Sequence, residues 1–432
     1  MKLIPSEIFK ETIMLEFHLR GKNNLTTVLP IVEEIIEDVK EKGDIALLDY
    51  ARKFDKISLT PASLKASKND ISEAYEKLTK EQLYAIESAA KRIAIFHKKQ
   101  TRKNWDIKTS KGIVTGQLIR ALTSVGIYVP GGSAAYPSTV LMCAIPAKIA
   151  GVERIYVCSP VREKESLTPA LLVAADISGV DAIYKVGGAQ AIAALAYGTQ
   201  TIPKVDKIVG PGNKYVTAAK LVVNTEVAID LPAGPSEIVI IADDSANPYY
   251  IAADLIAQAE HDAEASAILL TTSPLLATKV LKIVEEQVKT EKRNQIIKES
   301  LSEQGFVIIV KDLEEAIQIT NNLAPEHLSI QTKNPRKIMA RIQNSGAIFL
   351  GKYSPVAFGD YSAGINHVLP TAGYAKIYSG LSVNDFYKTM NFLECSANGF
   401  KKLQDITISL AQLEGLNAHA ESVNIRRSGE SK

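Results

Sequence analysis

The sequence predicts an α/β protein with two Rossmann-like lobes, each a parallel sheet flanked by helices, and small helical extensions at its N- and C-termini. Three observations carry that prediction. Between about residues 113 and 350, short β-branched runs alternate with amphipathic segments, the signature of βαβ units. The runs number eight, too many for one small sheet. A chain of 432 residues also exceeds what a single hydrophobic core ordinarily serves.

The elements follow in order. The first hundred residues read as helical, because Leu83, Ile86, Ala90, Ile93 and His97 recur at three- and four-residue spacing with Lys and Glu on the other side. Strands are predicted at Val125–Val129, Arg154–Cys158, Ala182–Val186, Lys207–Val209, Ile238–Ala242, Ile268–Thr272, Phe306–Val310 and Ala347–Leu350. Amphipathic helices are predicted between them, including Ala246–Ala265 and Leu275–Glu299. From about Leu381 the tail is expected to return to helix and loop, ending in a polar, frayed run, Arg426–Lys432. The expected division is an N-terminal extension (1–25), a first lobe (26–112 with 237–380), a second lobe (113–236) and a C-terminal extension (381–432).

Composition narrows the function classes. With 46% hydrophobic and 23% charged residues the chain is neither disordered nor fibrous. Lys and Arg total 50 against 48 Asp and Glu, so no bulk field would recruit nucleic acid or an anionic membrane. Cys143, Cys158 and Cys395 are odd in number and form no CxxC pair, which argues for a reducing, cytoplasmic setting. Glu7 and Lys10 stand where a signal peptide would need its apolar centre, so none is expected. The uncharged stretch from Ala121 to Ala147 is interrupted by Pro130, Pro137 and Pro146 and reads as strand, loop and helix rather than a membrane span.

Three glycine-rich turns each follow a predicted strand and lead into a predicted helix: Tyr128-Val129-Pro130-Gly131-Gly132-Ser133, Val186-Gly187-Gly188-Ala189-Gln190 and Val209-Gly210-Pro211-Gly212-Asn213-Lys214. At that position backbone N–H groups and the positive helix end can meet a phosphate. Glycine is equally at home there merely to make a tight turn. None of the three is a G-x-G-x-x-G fingerprint, so a standard dinucleotide fold is not demonstrated.

The six histidines divide sharply. His97 lies on an apolar stripe and His18 in a featureless segment, and both are expected to be structural or surface residues. The other four keep polar company. Gln258 and His261, three apart, share a helical face from which both can reach one ion, although such a pair is also ordinary helix structure. Glu326-His327 places an acid beside a base just before a strand. Asp360 and His367 share a glycine-rich loop, and Glu414 and His419 lie near the C-terminus. Only the fold can bring these together.

Taken as a set, Tyr128–Pro137, Lys185–Gln190, Val209–Tyr215, Leu231–Glu237, Gln258–His261, Pro325–His327, Gly359-Asp360 with His367, and Glu414–His419 closely resemble the motifs of histidinol dehydrogenases, in family order. The resemblance implies a zinc-dependent, NAD-linked enzyme that oxidises L-histidinol through L-histidinal to L-histidine with two NAD+ per product, the last step of histidine biosynthesis. It implies zinc ligands at Gln258, His261, Asp360 and His419. Substrate contacts are implied at Ser236, His327, His367 and Glu414, with substrate completing the zinc shell beside those four ligands. It implies NAD contacts at Tyr128, Gln190 and Asn213, one in each glycine-rich turn. It further implies a homodimer in which Glu414 and His419 reach the partner's site.

Chemistry then assigns roles: His327 takes the hydroxyl proton, and Glu326 activates the water that the second oxidation consumes. Zinc chiefly orients substrate and polarises oxygen. Two rivals compete with this reading. A zinc hydrolase could use the same ligands with Glu326 as base, but leaves the three glycine turns without a purpose. A silent nucleotide-binding or assembly protein would have to bury many polar groups to no end.

Overall fold

Ile238, Val239, Ile240 and Ile241 form an unbroken apolar run with no exposed side, as a strand covered on both faces requires. In the computed structural model this run is β9 (Glu237–Ala242), at the centre of a six-stranded parallel sheet. Alternate residues serve opposite faces. Ile238 and Ile240 pack with Ile251, Leu255, Val280 and Leu301, whereas Val239 and Ile241 pack with Phe9, Ala316, Ile317 and Leu323. All residues are described except 15–16, 18–22, 132–135, 162–165, 232–233 and 429–432. His18 and the end of the polar tail therefore lie outside the described residues.

The described chain separates into two compact units, residues 1–100 with 122–386 and residues 101–121 with 387–432. The first unit holds both parallel sheets. One contains β1 (Lys2–Pro5), β9, β10 (Ser266–Thr271), β11 (Gly305–Ile309), β12 (His327–Gln331) and β13 (Ala347–Leu350) in the order β1-β11-β10-β9-β12-β13. The other contains β4 (Ser124–Tyr128), β5 (Arg154–Cys158), β6 (Ala182–Tyr184), β7 (Lys207–Val209) and β8 (Ala228–Ile229) in the order β6-β5-β4-β7-β8. Apart from β1, both sheets run 3-2-1-4-5 in chain order, so strand order reverses at β9/β12 in the first and at β4/β7 in the second. These are the switch points of two doubly wound sheets.

The predicted α/β class holds, and each predicted strand is present within about two residues of its expected bounds. Several elements differ. The N-terminal extension begins with a strand, β1, parallel to β11 at the sheet edge, and Ser6 and Lys10 bind Glu315 to fasten it there. The helix expected at 246–265 is α8 (Pro248–Ala259); it stops because Asp262 turns its carboxylate onto the Glu264 N–H instead of continuing the helical ladder. The helix expected at 275–299 is two, α9 (Pro274–Gln287) and α10 (Asn294–Gln304), and α11 (Leu313–Leu323) follows β11. The charged stretch between α9 and α10 offers no apolar face to bury.

The helices ahead of the sheets are α1 (Leu29–Lys42), α2 (Lys68–Lys77) and α3 (Lys80–Lys98), with α4 (Pro137–Ala150), α5 (Pro169–Ser178), α6 (Gly188–Tyr197) and α7 (Lys214–Val223) flanking the five-stranded sheet. The first three pack on α4–α7, so the expected grouping of residues 26–112 with the six-stranded lobe is revised: residues 29–98 cover the five-stranded one. The stretch from Ala121 to Ala147 includes β4 and most of α4. No helix of the described residues is long and apolar enough to cross a membrane.

The second unit is built on an antiparallel sheet of β2 (Trp105–Ser110), β3 (Ile113–Ala121) and β14 (Tyr387–Cys395), in the order β14-β3-β2, followed by α12 (Ala397–Leu413) and α13 (Asn417–Ser428). The tail expected to be helix and loop thus starts with a nine-residue strand. β14 and most of β2 are exposed along their length, so no buried face marked them in the sequence; long-range pairing with β3 makes them strands.

Candidate active site

The chemistry-bearing residues of the first unit gather at the amino ends of β9 and β12. Glu237 opens β9 and His327 opens β12, and the two strands pair in parallel with His327 opposite Ile238. A buried glutamate heading an otherwise apolar strand was visible in the sequence as Glu237 before Ile238–Ala242, but sequence reasoning assigned a role only to its neighbour Ser236. In the structure the Glu237 N–H donates to Glu326 Oε2 at 2.9 Å, while the Glu326 N–H donates to Glu237 Oε1 at 3.3 Å. Ser236 adds a side-chain hydrogen bond to Glu326. Burial, followed by the charges of Glu237 and Asp360, holds the Glu326 carboxyl well above the usual carboxylate range.

The two site imidazoles are fixed by carbonyl groups. His327 Nδ1 faces the Glu237 carbonyl at 3.2 Å, and His367 Nδ1 faces the Asp360 carbonyl at 2.8 Å. A carbonyl oxygen only accepts, so both rings carry their proton on Nδ1 and leave an Nε2 lone pair. His367 Nε2 accepts from Thr139 Oγ1 at 3.3 Å, a contact from α4 that sequence reasoning missed. His327 Nε2 is buried without a hydrogen-bond partner and stands 3.7 Å from Asp360 Oδ1. Burial lowers His327 to about 3 and His367 to about 4 and raises Asp360 to about 7. Both imidazoles are neutral throughout the neutral range because their pocket is poorly solvated.

Gln258 occupies the last turn of α8, is buried, and leaves its amide nitrogen without a partner. His261 follows the helix end, held by its N–H to the Gln258 carbonyl, rather than lying within the helix. Its ring is close enough to His327 and His367 to depress both. The buried Gln258 amide thus leaves its nitrogen unpartnered, and because the two ends of an amide can exchange places its oxygen can take that position, a donor to add to the His261 imidazole and the Asp360 carboxylate. Oxygen and nitrogen donors of this kind suit a zinc ion. Among the described residues no three His, Cys, Asp or Glu side chains are gathered as a metal-ligating group. Glu414 caps the end of α12 and His419 lies in the first turn of α13; both belong to the second unit and are exposed. His97 is structural, as expected: it is buried and takes a hydrogen bond from Asn366 Nδ2 at 3.1 Å.

The three glycine-rich turns, of which Gly132 and Ser133 lie outside the described residues, are represented by Tyr128–Gly131, Val186–Gln190 and Val209–Lys214 at the carboxyl ends of β4, β6 and β7. The Tyr128 hydroxyl accepts from the Gly188 N–H at 3.1 Å, linking the first two. A side chain on Gly210 would sit 2.1 Å from the Tyr128 carbonyl oxygen, so the third turn abuts the first only because residue 210 has none. The Gly210 peptide is held by Asp230, which accepts its N–H, and by Lys220, which donates to its carbonyl and pairs with Asp230. Gln190 is buried in the first turn of α6, and Asn213 caps α7 by accepting the N–H groups of Tyr215 and Val216. This carboxyl-end crevice, at the β4/β7 switch point, is where doubly wound sheets hold nucleotides, and the side-chain-free approach at Gly210 fits that use. A different cavity of about 260 Å³, lined by Tyr250, Asp254, Gln331, Tyr353, Pro355 and Phe358, lies at the carboxyl end of the six-stranded sheet and contains none of the residues proposed for the site.

Two doubly wound sheets, one carrying glycine turns at its switch point and the other a buried carboxylate–imidazole cluster, define an α/β enzyme of the dehydrogenase class. The family model described as histidinol dehydrogenase matches residues 18–427. The chain is 53% identical over 408 residues to the histidinol dehydrogenase of Caldanaerobacter subterraneus and 50% identical over 408 residues to that of Methanocaldococcus jannaschii, each alignment covering 94% of both chains. The crystal structure of histidinol dehydrogenase from Elizabethkingia anophelis superposes with a TM-score of 0.94 at 39% identity, over 100% of this chain and 98% of that one. The chain belongs to the histidinol dehydrogenase family, a family of NAD-linked oxidoreductases.

Proposed function

We propose that the chain oxidises L-histidinol through L-histidinal to L-histidine, the last step of histidine biosynthesis, in the cytoplasm. The observation that carries this reading is the buried Nε2 lone pair of His327, which faces Asp360 while the ring is oriented from its Nδ1 side by the Glu237 carbonyl and flanked there by Glu326. An alcohol loses hydride only if its hydroxyl proton also leaves, and that lone pair is the proton acceptor. In the second oxidation a water adds to the aldehyde carbon and a second hydride departs, so another proton must be taken from the water. Glu326 takes it; a carboxylate that burial holds well above the usual carboxylate range binds a proton more strongly than an exposed one and so is the better base for that water.

Tyr128, Gln190 and Asn213 would hold NAD+, which would supply the hydride acceptor, and Gln258, His261, Asp360 and His419 would hold zinc, which would supply orientation and polarisation of the substrate. Ser236, His327, His367 and Glu414 contact histidinol, with His367 steadied by Thr139. The active unit is a homodimer with Glu414 and His419 donated to the partner's site. Large exposed apolar residues in the second unit, among them Leu393, Ile406, Leu410, Leu413 and Ile425, support an assembly that covers them.

A direct assay tests the reading. Purified protein with zinc, histidinol and NAD+ forms two NADH per histidine; no NADH from histidinol or histidinal, with hydrolysis of an ester or amide instead, favours the hydrolase.

A further inference from the structure

Glu237 is the one fully buried glutamate of the motif Leu231–Glu237, and its environment concerns the proposed acid/base pair directly. Its Oε1 accepts the N–H of Glu326 at 3.3 Å and the N–H of Ala372 at 3.0 Å. Ala372 has φ +50, a left-handed conformation that an alanine adopts only when its surroundings hold it. One carboxylate thus ties together the start of β9, the residue that precedes β12, and the turn following His367. The main chain of Glu237 completes the arrangement: its N–H fixes the Glu326 carboxylate and its carbonyl sets the tautomer of His327. Glu326 and Glu237 therefore hold each other reciprocally, each side chain on the other's backbone.

We infer that Glu237 is a positioning residue for Glu326, its side chain clamping the Glu326 main chain and the 371–373 turn so that the Glu326 carboxylate faces the reacting carbon. The catalytic part of this inference rests on the proposed oxidation of histidinal; the clamp itself does not. Glu237 touches no reacting atom. It acts by restricting Glu326 to one geometry, and a base displaced by a fraction of an ångström loses much of its effect.

Two measurements test the inference. The first needs no turnover: amide hydrogen exchange in peptides covering Glu326 and Ala372. Glu237→Gln keeps an acceptor oxygen and is expected to retain their protection. Glu237→Ala is expected to lose about 10- to 100-fold, the scale of a hydrogen bond to a charged acceptor. Unchanged protection in Glu237→Ala overturns the clamp, whatever the enzyme does. The second is a double-mutant cycle on histidinal oxidation. Glu237→Ala is expected to lower kcat by at least about tenfold with little change in KM, and to add nothing once Glu326 is already Gln. A merely structural role would lower thermal stability and give additive losses, which overturns the inference. Absence of turnover in the unmodified enzyme instead overturns the proposed function, and the exchange result still decides the clamp.

Discussion

His327 Nδ1 lies 3.2 Å from the carbonyl oxygen of Glu237, and that contact fixes which ring nitrogen does chemistry. The carbonyl has no proton to give, so Nδ1 must donate and Nε2 must carry the lone pair. Nitrogen-15 spectra of the metal-free protein are expected to show His327 in the Nδ1–H form with no protonated state above about pH 5, given a pKa lowered to about 3. An imidazolium signal at neutral pH would contradict the buried, carbonyl-oriented ring. His327→Asn is expected to slow both oxidations, each by about 10²- to 10⁴-fold.

Glu326 separates the two half-reactions, because only the second consumes water. Glu326→Gln is expected to keep much of its oxidation of histidinol to the aldehyde and to lose histidine formation from supplied histidinal. NADH formation measured separately from the two substrates decides. Equal slowing of both would mean that Glu326 and His327 work as one coupled acid/base unit.

Metal content tests the proposed ligand set. His261→Asn is expected to lower zinc per subunit and abolish oxidation while circular dichroism stays unchanged, since the ring lies beyond the end of α8 and is partly open to solvent. Full zinc occupancy with normal turnover removes His261 from the set.

Chain mixing tests the assembly. Glu326→Gln and His419→Ala chains, neither expected to form histidine alone, are expected to regain histidine formation when subunits exchange, because each hybrid dimer then contains one site with both residues intact. Demonstrated exchange without recovery would place each whole site within a single chain.

His97 predicts an acid-sensitive fold. Burial lowers its folded pKa to about 4, against an ordinary value of 6.5 in the unfolded chain. The unfolded state therefore takes up the proton first. The stability associated with the neutral ring is complete above pH 6.5 and is lost as pH falls toward 4. His97→Gln keeps an acceptor for Asn366 without a titrating ring, so the drop in Tm between pH 7.5 and 5 is expected to be smaller in the variant than in the parent. Equal drops would place the acid sensitivity elsewhere.

The residues that sequence alone brought forward, and those it passed over, differ in a physical way. Apolar runs such as Ile238–Ala242 and Ile155–Cys158 announced buried strands, because a strand covered on both faces has to be apolar where it is covered. The glycine turns and the pairs Glu326-His327 and Gln258/His261 were visible as unusual chemistry at short spacing. The exposed strands β2 and β14 were not, since neither has a buried face to impose an alternating pattern, and their pairing depends on residues far away in the chain. Glu237 was passed over for a related reason: its importance lies in contacts with Glu326 and Ala372, more than eighty positions away.

By itself, the sequence determined the α/β class, eight of the eleven strands of the two parallel sheets and the candidate residues, since local periodicity and side-chain chemistry are properties of short segments. Only the tertiary structure decided that Glu237, Glu326, His327, Asp360 and His367 share one buried cluster, which nitrogen of each imidazole keeps a lone pair, and how far each group's proton affinity departs from its ordinary value. Those quantities depend on loss of solvent and on hydrogen-bond partners supplied by distant strands. Neither exists until β9 and β12 lie side by side.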